Sequence, residues 1–174
     1  MGGVPGSGKT TLARQIGDAL HLPVVHRDLV KTGIHHAHGS TDPAEQKRFA
    51  SAAFDAAFAA TRTLIDAGSS VVLEAAFHRA HSGPPIRAVA EGTRLRVVWT
   101  RCPAAVALDR YRARSVRGER HPAHDDPSVI AAMEAGDLDW GTYDPPGGLP
   151  VDLVVDTAEG LDPDLAAIVA ALEA

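Results

Sequence analysis

Gly3-Val4-Pro5-Gly6-Ser7-Gly8-Lys9-Thr10 decides the reading of this chain. The stretch fits G-x-x-x-x-G-K-[ST] without departure, and each residue type has a chemical reason. Glycines let successive backbone N–H groups turn inward toward phosphate oxygens. Lys9 brings a mobile positive charge to the β and γ phosphates of a nucleoside triphosphate. Thr10 offers a hydroxyl to magnesium. Lys9 to Leu20 follows with Leu12, Ile16 and Leu20 at helical spacing, so a helix points its positive end at the same phosphates.

Outward from this loop, apolar strands and helices alternate, which predicts an α/β fold with a parallel sheet. Strands are expected at 22–26, 70–74, 94–100 and 151–155. Helices are expected at 29–36, 43–67, 84–91, 103–116, 127–135 and 162–173. Asp42-Pro43 and Asp162-Pro163 both read as a cap followed by proline at the first helical position. A phosphate loop of this kind normally follows a buried strand, yet only Met1 and Gly2 stand before it. The first strand is therefore expected to be missing or truncated. One expectation is that the natural chain carries roughly 5–10 further residues upstream, rich in Val, Ile or Leu.

At 174 residues, 45% hydrophobic and 22% charged, the chain is expected to form one domain, with a lid at about 110–126. No apolar run approaches a membrane span and no signal peptide is visible. The single cysteine, Cys102, excludes an internal disulfide and fits a cytoplasmic protein. Charge is uneven. Nine arginines fall within 87–120, whereas twelve acidic residues and no Lys or Arg follow Arg120. Such an arginine-rich stretch in a chain of net charge −5 points to a local anion site, though part of it reads as solvated helix face.

Three further groups bear on chemistry. Asp28 falls just beyond the carboxyl end of a strand, where α/β proteins place ligands. Its carboxylate there is a base for a substrate hydroxyl, or else simply an N-cap for the helix at Leu29. Glu74 ends an apolar strand in the arrangement of a Walker B acid, suited to magnesium through water or to orienting the nucleophile. Arg110, Arg114 and Arg117 share one helical face and are placed to neutralise a transferring phosphoryl group. Arg112 falls off that face. The histidines lack the partners and spacings of a zinc site. His121 and His124 belong instead to the lid or to substrate phosphate.

Together these features resemble the small P-loop kinases grouped with polynucleotide 5′-hydroxyl kinases, gluconate and shikimate kinases, chloramphenicol phosphotransferase and zeta toxins. Gly3–Thr11, Arg27-Asp28, Val71–Ala75, Arg110–Arg120 and Asp152–Thr157 carry the resemblance. It implies a three-layer α/β/α P-loop fold around a five-stranded parallel sheet. It also implies ATP with magnesium as cofactors, with Gly3, Pro5, Gly6, Ser7, Gly8, Lys9, Thr10, Thr11, Arg110, Arg114 and Thr157 at the nucleotide. Thr10 and Glu74 would serve the metal. Asp28 is implied as general base, with Lys9 and the lid arginines on the phosphates. Lys31, Glu74, Arg120 and His121 join Asp28 on the acceptor side. Polynucleotide kinases of this kind carry arginine three residues after the base, where this chain has Lys31, losing the bidentate fork.

The function expected is therefore an ATP-dependent kinase acting on a hydroxyl of a small molecule such as a sugar, nucleoside or antibiotic-like metabolite, as a monomer or homodimer. A polynucleotide 5′-hydroxyl kinase and a regulatory ATPase or nucleotide switch are the alternatives. The acidity of the chain argues against tight polynucleotide binding.

Overall fold

A computed structural model describes residues 1–39, 42–118, 121 and 124–174. Among the described residues there are five parallel strands: β1 (Gly2–Gly3), β2 (Val24–His26), β3 (Val72–Glu74), β4 (Val98–Arg101) and β5 (Leu153–Asp156). β2 pairs with β3, and β4 lies between β1 and β5. Two hydrogen bonds join the halves, from the Met1 α-ammonium to Leu73 O at 2.8 Å and from Ala75 N–H to Met1 O at 3.3 Å. The order across the sheet is thus β2-β3-β1-β4-β5. The first strand is present as the two residues Gly2–Gly3.

The helices are α1 (Lys9–Leu20), α2 (Arg27–His38), α3 (Pro43–Asp66), α4 (Gly83–Val89), α5 (Ala104–Val116), α6 (Asp126–Ala135) and α7 (Leu165–Glu173). Alternation along the strands sends neighbours to opposite faces. Val98 and Val155 pack with Leu12, Ile16 of α1 and Ile168 of α7. Val97 and Trp99 face the other way, into a core with Ala75, Phe77, Ile86 and Leu149, against which Phe54 and Phe58 of α3 pack. No described helix is long and apolar enough to cross a membrane.

Several boundaries move from the sequence expectation. The strand at 94–100 starts only at Val98, because β1 offers no partner to the residues before it. The helix expected at 162 starts at Leu165, since Asp162 pairs back onto Asp156 and Asp164 is the residue that caps, accepting from Ala167 N–H at 2.8 Å. Asp42 caps α3 as expected, accepting from Ala44 N–H at 2.8 Å. A turn of 3₁₀ helix at Trp140–Tyr143 went unread. Around the amino ends of β3 and β4 lies a cavity of about 680 Å³, lined by Met1, Ile16, Val72, Leu95, Val97 and Leu149 among others.

Candidate active site

The loop 3–10 folds tightly over the carboxyl ends of β1 and β4. Gly3 has φ +139°, and a Cβ there would collide with the Thr100 carbonyl. Gly6, at φ +81°, lies against the Ala107 backbone. Ser7 is fully buried. Its Oγ lies 2.7 Å from Val4 O and 2.6 Å from Thr100 Oγ1, and Thr100 donates to Gly2 O at 3.2 Å. The Lys9 ammonium folds back to donate to Val4 O at 2.8 Å. A loop carbonyl thus occupies a lysine N–H of the kind that phosphate oxygens take in such cradles. Pro5 is buried, Thr10 is half-buried at the second position of α1, and Thr11 is exposed.

A second set of contacts braces the loop from outside. Arg110 of α5 donates to Gly6 O at 3.3 Å, to Thr157 Oγ1 at 3.0 Å and to the Thr157 carbonyl. Thr157 Oγ1 in turn lies 3.0 Å from Ser7 O. Arg110 and Thr157 therefore reach the phosphate loop together, each spending bonds on loop carbonyls. Cys102 sits in the same corner with Sγ 3.9 Å from Gly6 O, and burial pushes its thiol above the ordinary value.

Farther along α5, the Arg114 guanidinium lies 4.5 Å from the centroid of the Tyr111 ring. Its Nε and Nη2 are buried without an acceptor among the described residues. Arg117 is exposed at the end of the helix. Arg112 is exposed as expected, and reaches Glu134 of α6 at 2.7 Å. Arg120 lies outside the described residues.

The acceptor side is built on β2, β3 and α2. The register His26↔Glu74 brings two buried polar side chains together, with His26 Nδ1 3.0 Å from Glu74 Oε2. α2 starts at Arg27, with His26 as its N-cap residue. Asp28 is thus inside the first turn, and the capping role considered for it falls away. Arg27 Nη1 donates to Asp28 Oδ1 at 3.1 Å and Nη2 to Ala50 O at 2.9 Å, while its guanidinium covers the Phe54 ring at 4.4 Å. Lys31, one turn on from Asp28, is half-buried.

His121 and His124 both meet residues of α2. His121 meets the rings of His35 and His36 edge-on, with centroids at 4.8 and 4.4 Å. Burial and those two imidazoles hold its pKa below the ordinary value. His124 Nε2 is 3.0 Å from Thr32 Oγ1, and its Nδ1 is 3.9 Å from Asp28 Oδ2. No group of His, Cys, Asp and Glu among the described residues is arranged to hold a metal ion.

Of the residues singled out from sequence, the cradle, Arg110 and Thr157 come together, and Asp28 lies near His124. Sequence reasoning missed His26, Thr100 and the contact of His124 with α2. A polar residue ending an apolar strand was the available signal for His26 and Thr100. Nothing in the spacing of His124 pointed to α2.

A glycine-lined phosphate loop between β1 and α1, at the carboxyl edge of a 2-3-1-4-5 parallel sheet, defines a nucleotide-binding protein with the P-loop kinase fold. The chain belongs to the AAA domain family AAA_33, whose profile matches residues 1–136. A proposed kinase from Chloroflexus aurantiacus superposes with a TM-score of 0.82 at 22% identity, covering 97% of this chain and 92% of that one. The APS kinase CysC of Mycobacterium tuberculosis, solved with AMPPNP and APS, gives 0.66 at 19% identity, covering 99% and 95%. A gluconokinase from Sinorhizobium meliloti gives 0.59 at 20% identity, covering 99% and 89%. Among curated proteins, no sequence matches.

Proposed function

We propose that this protein is an ATP-dependent kinase that transfers the γ-phosphate of ATP to a hydroxyl of a small molecule. One observation carries the reading. Asp28 is not consumed as a helix cap; its Oδ1 is fixed by Arg27 while Oδ2 faces His124. A carboxylate so oriented, at the strand ends beside a phosphate cradle, is placed to take a proton from an attacking hydroxyl. A pure nucleotide switch has no use for it.

The remaining roles follow the same logic. Gly3, Pro5, Gly6, Ser7, Gly8, Thr10 and Thr11 surround the phosphates and Lys9 neutralises them. Arg114 brings buried N–H groups without an acceptor among the described residues, which an anion would satisfy. Arg117 adds charge from the helix end, and Arg110 with Thr157 holds the loop in shape beside the nucleotide. The Thr10 hydroxyl and the Glu74 carboxylate are hard oxygen donors that suit Mg²⁺. When bound, that ion would neutralise charge on the phosphates. Lys31 and His121 serve the acceptor side, and Arg120, outside the described residues, is assigned there by its place in the sequence.

Among acceptors, a compact metabolite fits better than a polynucleotide. The chain is acidic overall, with a net charge of −5, which disfavours a polyanionic acceptor. The gluconokinase and the APS kinase that share this fold are named for small molecules, not polynucleotides. A kinase using ATP as donor fits a cytoplasmic location.

The test is Asp28→Asn assayed with γ-labelled ATP against a metabolite panel that includes a 5′-hydroxyl oligonucleotide. Transfer should fall by about 10²–10⁴-fold, with nucleotide binding retained. Full transfer by this variant would remove Asp28 as the base.

A further inference from the structure

His26 and Glu74 are register partners at the last residues of β2 and β3. On neighbouring parallel strands such partners project to the same face, one strand spacing apart. Both side chains are buried, at 7% and 5% exposure, with Nδ1 3.0 Å from Oε2. His26 also holds the N-cap position of α2, where Ser, Thr, Asp or Asn commonly caps. Its side chain makes no cap bond, and the ring is turned to Glu74 instead. The Met1 α-ammonium attracts Glu74 as well, but it donates to Leu73 O and sets no direction for the carboxylate.

A strand-end acid beside a phosphate loop is commonly Asp; here it is Glu. The extra methylene adds one rotatable bond between backbone and carboxylate, and with it more orientations to exclude. A hydrogen bond to Oε2 excludes most of them. Among the described residues Oε1 makes no hydrogen bond, which leaves that oxygen for a ligand. A carboxylate that serves Mg²⁺ is an acceptor at both oxygens, so the shared hydrogen belongs to Nδ1. We infer that His26 is a positioning residue that fixes the Glu74 carboxylate for the magnesium of the bound nucleotide; this rests on the kinase reading above. In this role His26 touches neither nucleotide nor acceptor and acts only through Glu74.

Binding of a fluorescent ADP analogue to the full chain, with Mg²⁺ titrated in or with EDTA, tests this without turnover. His26→Leu keeps apolar bulk in place and should raise the half-saturating Mg²⁺ by about tenfold or more, with affinity in EDTA within about twofold of wild type. His26→Asn returns an amide N–H near the place of Nδ1 and should recover most of that loss. Added to Glu74→Gln, His26→Leu should cost nothing further, because the partner through which it acts is gone. Unchanged Mg²⁺ dependence in His26→Leu overturns the inference. So does an equal loss with Mg²⁺ and with EDTA, the result a merely structural histidine would give. Additive losses in the double variant overturn it too.

Should His26→Leu not fold, the wild type decides. Mn²⁺ added with ADP should broaden the His26 ring resonance, assigned through its own backbone amide, and a sharp resonance overturns the inference. A wild type whose ADP affinity ignores Mg²⁺ does the same. Mg²⁺-dependent ADP binding with no transfer to any acceptor would instead sink the kinase reading, and would leave the positioning of Glu74 standing.

Discussion

The two ends of one sheet are built differently. At the carboxyl ends, the loop 3–10 is braced by Ser7, Thr100, Arg110 and Thr157, and Gly6 leaves no room against Ala107. At the amino ends of β3 and β4, apolar side chains surround a cavity of about 680 Å³. The first region has polar groups paired at short range and a backbone packed closely at Gly6. The second has volume, and its walls are mostly apolar with Thr61, Thr93 and Arg96 among them. Phosphate recognition demands fixed backbone N–H groups, so rigidity is concentrated where chemistry happens. Stability, in contrast, is supplied by the two apolar layers on either side of the sheet and tolerates an imperfect centre.

The largest expected effect tests the rigid end. In Gly6→Ala the new Cβ would lie 2.8 Å from Ala107 O and 2.9 Å from Ala107 Cα, on a backbone at φ +81°. The loop must move or α5 must. Strain of this kind costs about 1–3 kcal/mol. Affinity for a fluorescent ATP analogue should fall by about one to two orders of magnitude, with a lower melting temperature. Unchanged affinity would show that the cradle is not held to the shape drawn by Ala107.

A paired substitution tests the contrast itself. Ala107 has no solvent exposure, so Ala107→Val overpacks the brace and should cost about 1–3 kcal/mol. Val72 lines the cavity, and Val72→Ile adds one methylene toward open volume. That change should be neutral or stabilise by about 0.5–1 kcal/mol. Urea titration of both variants measures the difference. Equal destabilisation would mean that the two ends are packed alike.

The rigid end was also the more legible in sequence, for a physical reason. A phosphate cradle needs particular residues in unbroken order, so Gly3–Thr10 could be read directly. Helices with strong caps were equally plain: Asp42-Pro43 stood where α3 starts. The acceptor side was readable only in part. Asp28 was visible from its place after a strand, but its rivalry with a capping role was settled only when α2 proved to start at Arg27. His26–Glu74 and His124–Thr32 are contacts between residues 48 and 92 positions apart, which no local pattern encodes. The strand expected from Arg94 failed because strand pairing depends on a neighbour, not on the apolar residues themselves. Asp162-Pro163 misled because the same cap signature also suits a turn, and here the chain uses Asp164.

Acid titration sharpens the comparison with the smallest effect. Burial, then the neighbouring charges of His81 and Arg27, hold His78 below its ordinary value of 6.5. His121 is lowered likewise. Both lie on the functional side of the sheet, whereas no histidine or carboxylate lines the cavity. For a histidine depressed by folding, the unfolded chain binds the proton more readily. The stability is fully present above pH 6.5 and drains as pH falls below it. Melting temperature should therefore decline between pH 6.5 and 5 by an amount on the order of a degree from these two groups. His78→Gln with His121→Gln should flatten that part of the curve, while Val72→Ile should shift the whole curve without altering its slope. A slope that survives loss of both histidines would place the acid sensitivity elsewhere, and would separate it from the end of the sheet where the cradle lies.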